Sequence, residues 1–64
     1  MTSEERAQKI KTIMREQKVT AIDLQEKCGI HRNTIARALH GKGITVKTLE
    51  GIAEGLGISA TLLI

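Results

Sequence analysis

Three side chains near the middle of the chain have the chemistry to read base edges in duplex DNA. Arg32, Asn33 and Arg37 stand close together in the sequence, and Arg and Asn are residue types that form paired hydrogen bonds with guanine and adenine in a major groove. Asn33 and Arg37 are four positions apart, which places both on one face of a helix. With Ala36 and His40 beside them, they form a candidate reading face.

A helix over residues 31–40 is needed to present that face. Ile35, Ala38 and Leu39 lie at helical spacing on the opposite side, so they are predicted to pack inward. The segment is therefore predicted to be an amphipathic helix with one apolar side and one side for hydrogen bonding.

A second short helix is predicted directly before it. Thr20 can cap its start, and Asp23 three positions later can complete a weak capping box. Leu24 and Cys28, four positions apart, give it a narrow apolar stripe. Gly29 then ends the helix, since glycine tolerates the positive φ of a sharp helix stop. Two short helices joined by a tight turn are thus predicted.

These residues resemble the helix-turn-helix of Cro-like and phage-repressor-like (Xre-type) DNA-binding domains, over about residues 10–62. One position departs from the family pattern, because Gln25 stands where the family usually has a small residue. Either the two helices cross at a wider distance, or the Gln25 stem lies flat and its amide reaches solvent. The match rests on Leu24, Gly29, Ile30, the run Arg32-Asn33-Thr34-Ile35, Ala36, Arg37 and Gly41.

The resemblance implies one domain over residues 1–64, an all-α, compact five-helix bundle with the lambda-repressor-like DNA-binding fold. It also implies that the third helix enters the major groove. Two of the implied contacts to the DNA backbone, Thr20 and Ala21, would bind phosphate through the free N–H groups at the start of the second helix. The residues implied to meet base edges are His31, Arg32, Asn33, Ala36 and Arg37. Those implied to lie along the DNA backbone are Thr20, Ala21, His40, Lys42 and Lys47.

The charge distribution favours a polyanionic partner. The 64-residue chain has 10 basic and 7 acidic residues, a net charge of +3, yet residues 27–49 contain five Lys or Arg, both His and no acid. Such a stretch is typical of a DNA-binding surface, although a merely solvated basic face is the alternative. Since the chain has no aromatic residue, it lacks the stacking platforms of single-strand binders.

Two longer helices, the first and the fourth, are also predicted. The first covers residues 1–18, capped by Thr2 with Glu5, and its predicted apolar stripe is Ala7, Ile10, Ile13 and Met14. The fourth covers Val46 to Leu56, between a Thr45 cap and a Gly57 stop; its predicted stripe is Val46, Leu49, Ile52, Ala53 and Leu56. Gly51 and Gly55 inside it indicate either close helix packing or tolerated weakness.

The apolar C-terminus suggests self-association. A fifth helix is predicted over residues 60–64, capped by Ser59, with Leu62 completing the core. Leu63 and Ile64 are then left over, and an exposed apolar end is typical of a partner surface. We therefore expect these two residues to be dimer contacts and the chain to bind a palindromic operator as a homodimer.

No cofactor, metal, small-molecule ligand or enzymatic activity is expected. Cys28 near His31 lacks the further ligands that zinc needs, and Cys28 is predicted to be a buried thiol. The Gly41-Lys42-Gly43 segment lacks the preceding glycine and strand of a phosphate loop. No grouping of Ser, His and Asp emerges from the predicted helices.

The resemblance implies a transcriptional regulator, a repressor that acts by occupying its operator. The alternative is a small protein-interaction module, such as an antitoxin or antirepressor, that uses the same basic helix to bind acids on a protein partner. No membrane-spanning run or signal peptide is recognised. A cytoplasmic, nucleoid-associated protein of bacterial or phage origin is the expectation.

Overall fold

Four α-helices and one turn of 3-10 helix make up the computed structural model, which describes residues 2–63. The all-helical class is confirmed for these residues. Met1, predicted to lie in the first helix, and Ile64 lie outside them. The elements are α1 (Ser3–Gln17), α2 (Ala21–Cys28), α3 (Arg32–Leu39), α4 (Val46–Leu56) and the 3-10 turn (Ala60–Leu62).

Threonine side chains begin three of the four helices. Thr2, Thr20 and Thr45 each accept the backbone N–H of the residue three positions later, at 3.1 to 3.2 Å. Asp23 returns a bond to the Thr20 N–H at 3.1 Å, which completes a capping box. The predicted threonine caps are confirmed, but at α1 Oε1 of Glu5 accepts the Thr2 hydroxyl at 3.3 Å instead of the Thr2 backbone N–H.

The helix stops follow from residues in the left-handed region. Gly29 and Gly57 close α2 and α4 with φ values of 74° and 70°, as predicted. After α3, Gly41 has a φ of 75°, and the Lys42 N–H bonds back to the Arg37 carbonyl at 2.9 Å. α1 ends at Gln17 rather than at residue 18, because Lys18 itself takes the left-handed conformation.

All four helices and the C-terminal residues contribute to one hydrophobic core. Its largest fully buried side chains are Ile10, Leu24, Ile35, Ile52 and Leu63. The glycines of α4 let it approach α2 and the following turn closely, since a Cβ atom on Gly55 would lie 2.9 Å from Cβ of Cys28 and one on Gly51 would lie 2.7 Å from Cδ1 of Ile30. Of the two explanations for these glycines, close helix packing is the one that the structure supports.

The C-terminal prediction was wrong in two respects. The last segment is a 3-10 turn and not a fifth helix, because the N–H groups of Leu62 and Leu63 bond to carbonyls only three residues back. Because of this winding, Leu62 and Leu63 exchange their predicted environments. Leu63, predicted to be an exposed dimer contact, is 0% exposed, whereas Leu62, predicted to complete the core, is 50% exposed.

Two other apolar residues are less buried than predicted. Val46 is 57% exposed, because it is the first residue of α4 and extends beyond the core that the rest of the stripe fills. Cys28 is half-buried rather than buried, although it packs against the core. Neither residue changes the arrangement of α2, α3 and α4.

Candidate nucleic-acid interface

α3 is held to the core by one face and leaves the other face open. Ile35 and Ala38 are 0% and 1% exposed, and Leu39 is half-buried against the core. The helix packs against both α1 and α2. Its outward side is therefore fixed in direction while it remains uncovered.

The predicted base-reading residues lie on this outward side. His31, Arg32, Asn33 and Arg37 are exposed, and Ala36 is half-buried. Residues four apart are neighbours on a helix surface, so Arg32 neighbours Ala36, and Asn33 neighbours Arg37. The two pairs place two guanidinium groups and one amide on adjacent turns, next to a methyl group that suits a thymine methyl.

The first N–H groups of α3 already have partners within the protein. The Asn33 N–H donates to Nδ1 of His31 at 3.1 Å, and the Thr34 N–H donates to the His31 carbonyl at 2.9 Å. His31 is thus the N-cap of its own helix, and its ring offers a partner only through Nε2. Contacts from this end of α3 must consequently come from side chains.

The Arg32 N–H bonds to a residue that sequence reasoning misread. Oε1 of Gln25, in α2, accepts this N–H at 2.7 Å. One of the two alternatives for Gln25 placed its amide in solvent; the amide oxygen instead accepts across the turn and caps the start of α3. The only signal in the sequence was the polar residue at a position where the family has a small one.

The N-terminus of α2, predicted to meet the DNA backbone, is partly occupied. The N–H groups of Thr20 and Asp23 bond to each other's side chains. The bond from the Thr20 backbone N–H, together with the Thr20 side chain and nearby Lys27, lowers the pKa of Asp23 below its ordinary value. A carboxylate therefore stands at this helix end. Thr20 is exposed, whereas Ala21 is half-buried.

The loop after α3 and the start of α4 continue the outward surface. Lys42 and Lys47 are exposed there, as is His40. A surface cavity of about 160 Å³ joins α3 to this loop. Because Arg37 lines it, this predicted base contact adjoins the segment that carries the predicted backbone contacts. The lining residues are Thr34, Arg37, Gly43, Ile44, Thr45 and Thr48.

One acid from α1 approaches the basic stretch in space. A Cβ atom on Gly41 would lie 3.5 Å from Cγ of Glu4, and Glu4 shares a surface cavity of about 320 Å³ with Lys11 and His40. The acid-free stretch of the sequence thus has a carboxylate at its edge in the fold. Of the predicted backbone contacts, His40 is the one that lines this cavity.

Within residues 2–63 no group of three or more His, Cys, Asp and Glu side chains is placed to hold a metal ion. In the same part of the chain, every helix is too short or too polar to cross a bilayer. Along α3 and the loop that follows, the exposed Arg32, Arg37 and Lys42 are accompanied by no acidic residue in the sequence.

Comparison with known proteins gives one match. A family model described as helix-turn-helix matches residues 10–63, a span that includes α2, the turn at Gly29, α3 and α4. Neither the curated proteins nor the solved structures contain a match to this chain.

Proposed function

Because the chain belongs to the Cro-like helix-turn-helix family, a family of DNA-binding regulators, we propose that it is a sequence-specific repressor that occupies an operator. A non-enzymatic binding function fits the uncovered face of α3. The alternative is a small protein-interaction module that uses the same basic helix to bind a protein partner.

The observation that carries this proposal is the orientation of α3. Ile35 faces the core, while Arg32, Asn33 and Arg37 are exposed. A major groove about 12 Å wide admits one α-helix, and a helix that protrudes with these side chains presents the donors and acceptors that base edges require. Arg suits the O6 and N7 atoms of guanine, and Asn suits the N6 and N7 atoms of adenine.

The backbone contacts divide into two kinds in this proposal. Lys42 and Lys47 are exposed and would neutralise phosphates from the side of the loop and α4, while the exposed His40 would contact the DNA backbone by hydrogen bonding. Thr20 and Ala21 would contribute through the start of α2, where the Asp23 carboxylate reduces the attraction for phosphate. The lysines therefore carry most of the salt-dependent binding.

A homodimer on a palindromic operator also fits the size of the domain. The longest dimension of the fold is 26 Å, shorter than the separation of about 34 Å between half-sites one helical turn apart. One copy therefore covers a single half-site. The dimer contact is not Leu63, which is buried, and the expectation for Ile64 falls outside the described residues. Sedimentation with and without operator DNA tests this part.

Selection of bound sequences from random duplex DNA, followed by a shift assay across salt concentrations, tests the function. A palindromic consensus with affinity that falls steeply with salt is the expected result, because neutralised phosphates release counterions. If no duplex is retained at about 50 mM salt while an acidic protein partner is, the chain is the interaction module instead.

A further inference from the structure

We infer that Gln25 is a positioning residue for sequence reading: it holds the start of α3 in place through the backbone of Arg32. Oε1 of Gln25 lies 2.7 Å from the Arg32 nitrogen, at the short end of the range for such bonds. The inference rests on the proposed function, since it concerns how α3 meets bases.

The bond connects α2 and α3 across the turn between them. Gln25 is half-buried in α2, next to Leu24, which is fully buried. Between the bonded groups the chain passes through Gly29, which has a φ of 74°. A side chain anchored in α2 thus limits how far α3 can tilt about that glycine.

Among the first three N–H groups of α3, the one on Arg32 is held from another helix. The N–H groups of Asn33 and Thr34 bond to His31, which moves with α3. Loss of those two bonds would loosen the helix end locally. Loss of the Gln25 bond would instead release the helix end from α2, and the Arg32 side chain would shift with its backbone.

Such a shift should affect discrimination between base sequences more than overall affinity for duplex DNA. Hydrogen bonds weaken steeply as the angle at the donor departs from linear, and paired bonds to one guanine need two good angles at once. Phosphate contacts tolerate displacement better, because they depend on charge. Gln25 should therefore affect discrimination at the base pair that Arg32 meets.

The chain supplies a matched control in Gln17. Its Nε2 donates to the Leu56 carbonyl, also at 2.7 Å, and ties α1 to the end of α4 without touching α3. Gln25→Met and Gln17→Met each remove one side-chain amide that bonds to the backbone, while side-chain length is kept. Both variants should lower Tm by similar amounts. If only Gln25→Met loses discrimination between DNA sequences, the cause is the position of α3 and not a general loss of stability.

Two measurements test the inference. In hydrogen exchange, the Arg32 amide of the wild type should be protected, and its exchange should accelerate about tenfold in Gln25→Met but not in Gln17→Met. In binding assays, the affinity ratio between the selected duplex and duplexes altered at one base pair should fall about two- to tenfold in Gln25→Met. The ratio should stay unchanged in Gln17→Met.

Gln25→Glu should restore the ratio, because a carboxylate keeps the acceptor and suits a helix N-terminus, while its charge lowers affinity for all duplexes. Equal ratios in wild type and Gln25→Met overturn the inference and leave the function intact; a wild type that binds no duplex overturns the function itself. If Gln25→Met does not fold, a fast-exchanging Arg32 amide in the wild type is sufficient to reject the inference.

Discussion

Gly55 of α4 and Cys28 of α2 stand so close that a Cβ atom on Gly55 would lie 2.9 Å from Cβ of Cys28. Leu24 closes the same gap, since its Cδ1 would lie 3.0 Å away. The Cβ and Cα atoms of Cys28, at 2.9 and 3.6 Å, adjoin or belong to the α2 backbone and cannot rotate aside. α2, and with it the turn into α3, sits at its observed depth because this position of α4 has no side chain.

Gly55→Ala is therefore expected to destabilise the fold. The gain in helix propensity is about 1 kcal/mol, but overpacking costs about 1 to 3 kcal/mol. We expect the free energy of unfolding to fall by up to about 2 kcal/mol, measured by urea denaturation. Gly43→Ala is the control, because no atom lies within 4 Å of its added Cβ. A stability higher than that of the wild type in Gly55→Ala would contradict the close contact.

Leu63→Ala tests the corrected C-terminus. Leu63 is 0% exposed, so its truncation should lower the free energy of unfolding by about 2 to 5 kcal/mol. Leu62→Ala removes the same atoms from a side chain that is 50% exposed, and its effect should stay within about 0.5 kcal/mol. Thermal denaturation of both variants gives the comparison. A larger loss of stability in Leu62→Ala than in Leu63→Ala would instead support the roles that the sequence suggested.

The capping box at α2 predicts a dependence of stability on pH. Because hydrogen bonds from Thr20 hold the pKa of Asp23 below its ordinary value of 3.8, its ionised form favours the folded state. This contribution is fully present above that value and is lost as the pH falls through the lower folded pKa. The Tm difference between wild type and Asp23→Ala should be constant from about pH 5 to 7 and shrink below about pH 3.8.

Thr45→Ala is the control for this measurement. It also removes a helix cap, at α4, where the first turn contains no acid. Its Tm difference from wild type should not shrink over the same pH range, because no titrating group takes part in that cap. A parallel decline in both variants would mean that acid weakens the whole fold rather than the α2 capping box.

Arg37→Ala and Lys42→Ala should separate base reading from backbone contact. The first should weaken binding to the selected site by about 1 to 3 kcal/mol and flatten preference at one base pair in each half-site. The second should weaken all duplexes about equally and reduce the salt slope by about one unit. Shift assays on selected and scrambled duplexes at two salt concentrations measure both. If Arg37→Ala weakened all duplexes equally while Lys42→Ala altered sequence preference, the proposed placement of α3 in the major groove would be wrong.

Short-range features of the fold were readable in the sequence. Caps such as Thr20 with Asp23, and the stop at Gly29, depend on residues within one helical turn, where the chain geometry leaves few alternatives. The inward side of α3 followed from helical spacing for the same reason. The sequence also placed Arg32, Asn33 and Arg37 on the outward side, although their roles in DNA binding remain predictions.

Features that depend on how helices meet were not readable. The bond that the Arg32 N–H donates to Gln25 depends on the angle between α2 and α3 at the turn, which the sequence does not state. The approach of Glu4 to Gly41 joins distant parts of the chain. Leu62 and Leu63 exchanged roles because a 3-10 turn and an α-helix point successive residues in different directions. Periodicity within one segment contains none of this information.

The short reach of the helix caps has a consequence for the speed of folding. Thr2, Thr20 and Thr45 each bond only three residues ahead, so the helix starts form before distant segments need to meet. Helical domains dominated by such local contacts fold in about microseconds to milliseconds. The chain also contains no proline, so no slow isomerisation step delays it. A copy that unfolds after leaving its site should therefore regain its binding surface almost at once.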